Sequence, residues 1–221
     1  MNNKELIIII PAYNEEKNIK KVITSFQKFC EILVIDDCSS DRTGKIAEKY
    51  SDYYIKNKNN IGYDFSLRKA FKYVLKNLKN KKFIVTCDGD GQHTAQNLKS
   101  LFKYLNNKDF SILLGKRDKF NRISEHVISF FSKKFLNIDD PYTGLKIYRI
   151  VKIKKKFLNL KFNIDTIGLF FLLICKKNEI KEKKIFIKKK NKKSSFGDGI
   201  SINFKLIKTF LWIYFRFLFK N

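Results

Sequence analysis

The sequence is short of proline, glycine and acidic residues. Only two prolines and nine glycines occur in 221 residues, so each of them marks a place where the chain can turn. Against 47 lysines and arginines stand 21 aspartates and glutamates, which gives a formal net charge of +26. Only six of the basic residues are arginine. An AT-rich genome would produce an excess of lysine without any functional reason, so the arginine positions are the more informative. The charge still favours anionic partners, namely phosphorylated substrates, an acidic membrane surface or nucleic acid.

Several further absences exclude whole classes of protein. The four cysteines form no CxxC pair and have no histidine at ligand spacing, which disfavours a zinc site or a disulfide framework and predicts reduced thiols. No run of about 18 apolar residues is present to span a bilayer. No secretory signal opens the sequence, so a cytoplasmic location is expected. No helix-turn-helix, RNP or zinc-finger pattern occurs, so no specific nucleic-acid partner is expected.

Short apolar runs alternate with segments of helical periodicity along the first half of the chain. The predicted strands are 6–10, 32–35, 53–55, 83–87 and 111–114, and the predicted helices are 15–29, 43–50, 65–78 and 98–105. This alternation is typical of an α/β fold with a mostly parallel sheet flanked by helices. After about residue 116 the alternation weakens, and helices are expected to dominate.

Polar clusters follow three of the predicted strands at the point where each strand ends. They are Pro11-Ala12-Tyr13-Asn14-Glu15, Asp36-Asp37-Cys38-Ser39-Ser40-Asp41 and Asp88-Gly89-Asp90-Gly91-Gln92-His93. Ligands of open parallel sheets bind beyond the carboxyl ends of the strands. Carboxylates that converge there repel each other unless a cation or hydrogen-bond donors lie among them. The clusters therefore predict a ligand site with a bound cation.

Asp88 and Asp90, with Gln92, offer the hard oxygen ligands that Mg²⁺ or Mn²⁺ prefers, and a substrate diphosphate and water would complete the coordination. Each cluster also has a simpler interpretation. An Asp-x-Asp sequence is common in turns, and the aspartates at 36 and 37 could cap the next helix. The order of the three clusters, each directly after a buried strand, favours a functional site.

The motifs resemble those of glycosyltransferase family 2, and within it the branch of dolichol-phosphate mannose synthases and polyprenyl-phosphate glycosyltransferases. Besides the three clusters, the matching segments are Asn60-Ile61-Gly62, Gly115-Lys116-Arg117 and Asp140-Pro141-Tyr142-Thr143-Gly144-Leu145. The resemblance covers about residues 5–200. It implies a GT-A fold in residues 1–200, with a nucleotide-sugar-binding half at about 1–115 and an acceptor-side half at 116–200.

The resemblance also implies an activity and a set of site residues. The activity is a metal-dependent, inverting transfer of a sugar from a nucleoside-diphosphate sugar, GDP- or UDP-linked, to an acceptor. The nucleotide-sugar is expected at Pro11, Ala12, Tyr13, Glu15, Asp36, Asp37, Gly62, Asp88, Gln92, Arg117, Arg122, Lys190 and Ser195. Mg²⁺ or Mn²⁺ is expected at Asp88, Asp90 and Gln92, and a catalytic part is expected for Asp90, Asp140 and Arg117.

The chemistry of the transfer bears on the acceptor. A polyprenyl phosphate is already anionic, so sugar transfer to it needs no strong general base. A glycan hydroxyl needs a general base, and Asp140 is the candidate in that case. Asp140 could instead organise the site or cap a turn before Pro141. An arginine suits a phosphate better than a lysine does, so Arg117 beside the site is notable, although it could also be a solvated surface cation.

Two departures from the family pattern leave a non-catalytic, membrane-peripheral relative as an alternative. The family's usual late arginine is replaced by a lysine, expected to be Lys190, with Ser195 as the serine that follows it. A lysine supplies charge but no bidentate fork. The residues after Gly62, often small in the family, are here the bulky or acidic Tyr63, Asp64 and Phe65.

The tail, residues 201–221, is predicted to be a basic amphipathic helix. Lys208, Trp212, Arg216 and Lys220 are spaced four residues apart, and apolar residues cover much of the remaining surface. Such a helix over 204–220 is typical of one lying on an anionic bilayer, here the inner face of the cell membrane. The alternative is a terminal helix packed on the core with its lysines reaching solvent.

Overall fold

The computed structural model describes residues 3–118, 120, 122–159 and 167–185, together with residues 203, 204, 207, 208, 210, 211 and 215 of the tail. Its strands are β1 (Leu6–Ala12), β2 (Glu31–Asp36), β3 (Tyr53–Lys56), β4 (Phe83–Thr86), β5 (Ile112–Lys116), β6 (Lys146–Arg149) and β7 (Ile180–Lys184). Its helices are α1 (Ile19–Phe26), α2 (Thr43–Tyr50), α3 (Tyr63–Asn77), α4 (Ala95–Phe102), α5 (Ile123–Leu136), α6 (Ile150–Leu158) and α7 (Ile167–Ile174). Short 3₁₀ turns precede β1 and β7.

The strands form one seven-stranded sheet in the order β3-β2-β1-β4-β6-β5-β7. The pairs β1–β2, β1–β4, β2–β3 and β5–β7 are parallel. Only β6 runs against its neighbours, between β4 and β5. The predicted α/β fold with a mostly parallel sheet is thereby confirmed, and both halves of the chain contribute to the same sheet.

Two strands in the second half, β6 and β7, are not predicted by the sequence. Helices α5, α6 and α7 nevertheless account for most of the regular structure described after residue 116, as expected. Along β6 a charged residue at each end flanks the apolar pair Ile147 and Tyr148. Along β7 only Ile180 is fully buried, and the four residues after it are charged. Strands this short and polar show almost no alternating apolar pattern that could be recognised in the sequence. Their place in the sheet is fixed mainly by backbone pairing with neighbouring strands.

The sheet separates two apolar layers. Alternate residues of β1 point to opposite faces, so Ile7 and Ile9 belong to one layer while Ile8 and Ile10 belong to the other. The first layer is covered by α3, α6 and α7, and the second is covered by α1, α2 and α4. Central strands buried on both faces explain the continuous apolar runs of the sequence.

Three helices begin at other residues than the sequence predicts, α3 two residues earlier and α1 and α4 by three residues or more. The segment before α1 forms a turn, in which the Asn18 N–H donates to the Glu15 carbonyl at 2.9 Å, and the helix starts only at Ile19. Helix α4 starts three residues earlier than predicted, because Thr94 caps it. The Thr94 hydroxyl accepts from the Asn97 N–H at 3.2 Å, and the Asn97 side chain accepts from the Thr94 N–H at 2.8 Å.

The tail contacts the domain through the apolar side of its described positions. Phe210 is 1% exposed within the core, and Ile207 and Leu211 pack against the same layer. Phe204 and Phe215 are exposed. At these positions the tail packs on the core, as in the alternative interpretation of the sequence, and the rest of the predicted helix at 204–220 lies outside the described residues. In the part of the chain that the structure describes, no helix is both long enough and apolar enough to cross a bilayer.

Candidate active site

The loops that follow β1, β2 and β4 meet at one edge of the sheet. The Asp37 N–H donates to the Ala12 carbonyl at 2.9 Å, and the Cys87 N–H donates to the Ile9 carbonyl at 3.1 Å. Because these strands are parallel neighbours, their carboxyl ends lie side by side. The three polar clusters of the sequence are therefore brought together.

The loops after β1 and β2 are held to each other by their own polar side chains. Asn14 and Cys38 both adopt a left-handed backbone conformation, with φ of 54° and 64°. The Asn14 N–H donates to Ser39 Oγ at 3.0 Å, and the Glu15 N–H donates to Thr43 Oγ1 at 2.7 Å. Tyr13 is 47% exposed at the rim of the site, so its ring is available to a ligand.

Asp36 and Asp37 are held by the loops they support. Asp36 is fully buried, and its carboxylate accepts from the Tyr54 hydroxyl at 3.1 Å and from the Ser39 N–H at 3.0 Å. Asp37 accepts from the backbone N–H groups of Ile61 and Gly62 at 2.9 and 2.8 Å. The bonds of Asp37 give the 57–62 segment its position above the end of β2, whereas those of Asp36 join β3 to the loop after β2.

Asp88, the first aspartate after β4, is held on three sides. Its Oδ1 accepts from the Tyr63 hydroxyl at 3.1 Å, and His93 Nε2 lies 3.5 Å from Oδ2. The third side is the backbone of Gly144, where an added Cβ would overlap the carboxylate. Desolvation by itself would raise the pKa of Asp88, but the interactions with His93 and Tyr63 outweigh it and lower the pKa below its ordinary value. The carboxylate is therefore charged and fixed in direction.

Asp90 and Gln92 follow on the same turn, where Asp90 Oδ1 accepts from the Gln92 N–H at 3.0 Å. Among the described residues no group of three or more His, Cys, Asp or Glu side chains could hold a metal by itself. Two carboxylates and an amide instead fit an ion that takes its remaining ligands from water and a diphosphate, which is the usual arrangement for Mg²⁺. The residues are thus compatible with a divalent ion bound together with a nucleotide.

Arg117, at the end of β5, forms a buried ion pair with Asp140. Its Nε donates to Asp140 Oδ2 and its Nη2 donates to Oδ1, both at 2.8 Å. Its Nη1 donates to Glu125 Oε1 on α5 at 3.1 Å. Burial alone would lower the pKa of Arg117, but these two carboxylates raise it above its ordinary value. The guanidinium and Asp140 therefore form one rigid unit.

A further carboxylate, Glu182 on β7, supports the loop that carries Asp140. Its two oxygens accept from the backbone N–H groups of Asp139 and Asp140 at 3.0 and 2.7 Å. Burial raises the pKa of Glu182, and the nearby Asp139 carboxylate acts in the same direction. Asp139 itself pairs with Lys116. The Asp140 loop is thus held by β5 and β7 together.

Comparison with known proteins assigns this arrangement to a family. The sequence model described as glycosyl transferase family 2 matches residues 7–178, which include the three strand-end clusters, Arg117, Asp140 and Gly144. The chain belongs to glycosyl transferase family 2. It is accordingly a glycosyltransferase, as the resemblance of its motifs implies.

Proteins with sequences similar to this family 2 glycosyltransferase include archaeal ones. An uncharacterized protein of Methanocaldococcus jannaschii is 33% identical over 179 residues, covering 71% of this chain and 75% of the relative. The UDP-N-acetylglucosamine–dolichyl-phosphate N-acetylglucosaminyltransferase of Methanococcus voltae is 29% identical over 142 residues. That match covers 54% of each chain.

Solved structures with the same fold include glucosyl-3-phosphoglycerate synthase from Mycobacterium tuberculosis. In its complex with Mn²⁺, UDP and glucosyl-3-phosphoglycerate it matches with a TM-score of 0.72 at 14% identity, over 95% of this chain and 80% of that one. The complex with phosphoglyceric acid matches with a TM-score of 0.73 at 15% identity and the same coverage. At this identity the likeness establishes the fold of the family 2 domain.

Some predicted site residues of the family 2 domain lie apart from the cluster or outside the described residues. Arg122 lies at the start of α5, where its Nη1 is 3.7 Å from Glu125 Oε1 and its N–H donates to Glu125 Oε2. It joins the site through the carboxylate that it shares with Arg117. Lys190 and Ser195 lie outside the described residues.

Sequence reasoning missed four residues that the fold places at the site: Tyr63, Glu125, Gly144 and Lys146. In the sequence Tyr63 is only a departure from the family pattern, yet in the structure its hydroxyl donates to Asp88. Gly144 belongs to a family motif that by itself predicts no contact with Asp88. Lys146 gave no signal in a sequence with so many lysines, and only its burial distinguishes it, at 6% exposure.

Proposed function

We propose that the protein transfers a sugar from a nucleoside-diphosphate sugar, with inversion at the sugar carbon, to a polyprenyl phosphate. The observation that carries the proposal is the convergence of Asp88, Asp90 and Gln92 with the loops after β1 and β2 in a family 2 transferase. Tyr13 at the rim and the segment held by Asp37 line the place where a nucleoside would lie beside the diphosphate.

A divalent cation, Mg²⁺ or Mn²⁺, belongs to this proposal. Asp88 and Asp90 would hold it, helped by Gln92, and it would neutralise the charge that grows on the leaving nucleoside diphosphate. The glucosyl-3-phosphoglycerate synthase that shares the fold was crystallised with Mn²⁺ and UDP, which supports the choice of metal and of a diphosphate ligand. The fixed direction of the Asp88 carboxylate suits this role.

The state of Asp140 supports a phosphate acceptor over a hydroxyl acceptor. Both of its oxygens accept from Arg117, and the residue is 1% exposed. A carboxylate held in this way is poorly placed to take a proton from a sugar hydroxyl, whereas a phosphate oxygen is already ionised and needs no base. The Methanococcus voltae relative, whose name gives dolichyl phosphate as its acceptor, supports the same choice.

The proposed acceptor also indicates where in the cell the enzyme acts. A polyprenyl phosphate is embedded in a membrane, so we place the enzyme at the cytoplasmic membrane face as a peripheral protein. The net charge of +26 and the exposed Phe204 and Phe215 of the tail suit an anionic surface. The tail would bind through the side that does not pack on the core.

The decisive experiment is ligand-induced stabilisation. The melting temperature is measured with UDP-, GDP- and CDP-sugars, each with and without Mn²⁺, for the wild type and for Asp90→Asn. A ligand that binds the native state raises the melting temperature by mass action. We expect one nucleotide to raise it only with Mn²⁺, and we expect Asp90→Asn to remove the shift.

The matched control is Asp109→Asn, which changes an exposed aspartate in a turn far from the site. It should respond to the nucleotide as the wild type does. No shift with any nucleotide would count against the donor, and an undiminished shift in Asp90→Asn would count against the metal site. With the donor known, sugar transfer to a polyprenyl phosphate and to a glycan is compared directly to decide the acceptor.

A further inference from the structure

Lys146 is a buried cation at the edge of the sheet where the site lies. It is the first residue of β6, and it pairs with Thr86 at the end of β4 and with Leu114 of β5. It shares a face of β6 with Tyr148, which packs in the layer covered by α3 and α7. The side chain therefore leaves the sheet next to the turn that carries Asp88.

The Lys146 ammonium lies among carboxylates that are already engaged elsewhere. The charges of Asp140, Asp88 and Asp64 act on it, yet no hydrogen bond or ion pair to Lys146 Nζ is formed within the described part of the chain. Their partners are Arg117 for Asp140, Tyr63 and His93 for Asp88, and the backbone N–H of Ile167 for Asp64. Among the residues that the structure describes, the positive charge of Lys146 is thus left without a direct partner.

A buried ammonium without a direct partner lowers the free energy of unfolding, because the charge has lost its water without gaining a hydrogen bond. Burial lowers the pKa of Lys146 to about 8, although the surrounding carboxylates act to raise it. The side chain is therefore still charged at neutral pH. A cost of this kind is offset when an anion binds beside the charge, because a hydrogen bond between two charged groups is stronger than one between neutral groups.

Arg117 is less suited to this anion than its position suggests. Three of its nitrogens already donate to Asp140 and Glu125, so its planar fork is turned toward carboxylates of the protein. Lys146 is a cation near Asp88 that has no such contacts within the described ranges. A glycine on α7, Gly168, makes room for it, since a Cβ there would lie 3.1 Å from Lys146 Nζ.

We propose that Lys146 binds a phosphate group of the substrates, on the donor diphosphate or on the acceptor. The proposal rests on the function proposed above and names a further phosphate-binding residue for it. In this proposal Lys146 has the phosphate-binding role that the sequence predicts for Arg117. The role of Arg117 is then to hold Asp140 in position.

The test compares Lys146→Met with the wild type in two binding measurements. One is calorimetric titration with UDP and with GDP, each with Mn²⁺. The other is flotation with neutral phosphatidylcholine vesicles that contain or lack a polyprenyl phosphate, so that general attraction to anionic lipid does not contribute. Lys146→Arg, which keeps the charge, should retain most of the binding in both.

The control is Lys81→Met, which alters another buried lysine at the opposite edge of the sheet. There Nζ donates to the Lys4 carbonyl and to Glu31 Oε1, both at 2.7 Å. Gly168→Ala is the second variant, since it displaces the Lys146 amino group without changing any charge. It should weaken the same binding as Lys146→Met, whereas Lys81→Met should leave binding unchanged.

The outcomes separate the two phosphate sources. A loss of about tenfold or more in nucleotide affinity assigns Lys146 to the donor diphosphate. Unchanged nucleotide affinity with an equal loss of binding to the polyprenyl-phosphate vesicles assigns it to the acceptor. If the wild type binds the probes and Lys146→Met binds both equally well, the proposal for Lys146 is overturned and the proposed function stands. If the wild type binds neither the nucleotides nor the polyprenyl-phosphate vesicles, both the proposal for Lys146 and the proposed function are overturned.

Discussion

The carboxylate of Asp88 lies against the α-carbon of Gly144, where an added Cβ would be 2.6 Å from Asp88 Cγ. The two residues belong to different segments, one after β4 and the other before β6, and the antiparallel pairing of these strands brings them together. The Thr86 hydroxyl fastens the same junction by donating to the Gly144 carbonyl at 2.8 Å. A glycine at 144 is thus required by the direction of a site carboxylate.

Gly144→Ala should therefore disturb Asp88 specifically. Forcing a methyl group into this contact is expected to lower the free energy of unfolding by about 1–3 kcal/mol and to remove Mn²⁺-dependent nucleotide binding. Urea denaturation and calorimetry measure the two effects.

The double variant Asp88→Ala/Gly144→Ala tests the cause. Without the carboxylate the new methyl group has space, so the two stability losses should be less than additive by at least about 1 kcal/mol. Additive losses would mean that Gly144 acts through something other than Asp88.

Tyr63→Phe removes the hydroxyl that donates to Asp88 Oδ1 at 3.1 Å. Loss of one hydrogen bond should cost about 1 kcal/mol of stability, and Mn²⁺–nucleotide affinity should fall several-fold because Asp88 is less firmly directed. Tyr53→Phe is the control, since it removes a similar bond to Glu31 at 2.9 Å away from the site. It should lose comparable stability and no affinity. Equal affinities in the two variants would refute a positioning role for Tyr63.

Arg117→Met should be among the most destabilising single changes in the chain. It leaves Asp140, which is 1% exposed, without the cation to which both of its oxygens are bonded, and removal of one partner from a buried pair costs about 3–5 kcal/mol. Arg42→Met is the comparison, because the Arg42–Glu16 pair is exposed and should contribute no more than about 1 kcal/mol. The measurement is the midpoint of urea denaturation for each variant relative to the wild type. Similar midpoints for Arg117→Met and Arg42→Met would contradict the structural role of the Arg117–Asp140 pair.

Lys146→Met should increase stability at neutral pH while impairing function. The folded-state pKa of Lys146, about 8, is below its ordinary value of 10.5, so the folded protein binds fewer protons than the unfolded chain between these two pH values. The cost of burying the charge is therefore fully present below about pH 8 and disappears as the pH rises toward 10.5. Besides the three carboxylates, the positive Arg117 faces this group and lowers its pKa.

The corresponding measurement is urea denaturation of both proteins at pH 7 and pH 10. The variant should be more stable by about 3 kcal/mol at pH 7, and the difference should shrink at pH 10. Lys81→Met should be less stable than the wild type at both pH values, because it leaves Glu31 without its buried partner. A Lys146→Met protein less stable than the wild type at pH 7 would show that Lys146 has a stabilising partner in the fold.

The predictability of the structure differed between its two halves. Residues 6–116 gave continuous apolar runs for the central strands, and all five predicted strands and four predicted helices are present, with shifts of a few residues at their ends. The sequence missed β6 and β7, because a strand such as β7, with four charged residues out of five, depends on pairing with β5. The family resemblance and the glycosyltransferase activity were confirmed by comparison, whereas the role of each site residue remains to be tested by the variants above.

The amino-acid sequence by itself determined the α/β class, the edge of the sheet at which the three polar clusters meet, and the family of the enzyme. These follow from local apolar patterns and from motifs whose residues are close together in the chain. Tertiary structure alone decided the partners: Asp37 with the 57–62 segment, Asp88 with Gly144, Arg117 with Asp140, and Lys146 with no direct partner among the described residues. Such pairings join residues far apart in sequence, and strand order and burial set them, so the same lysine or arginine has a different role at each position.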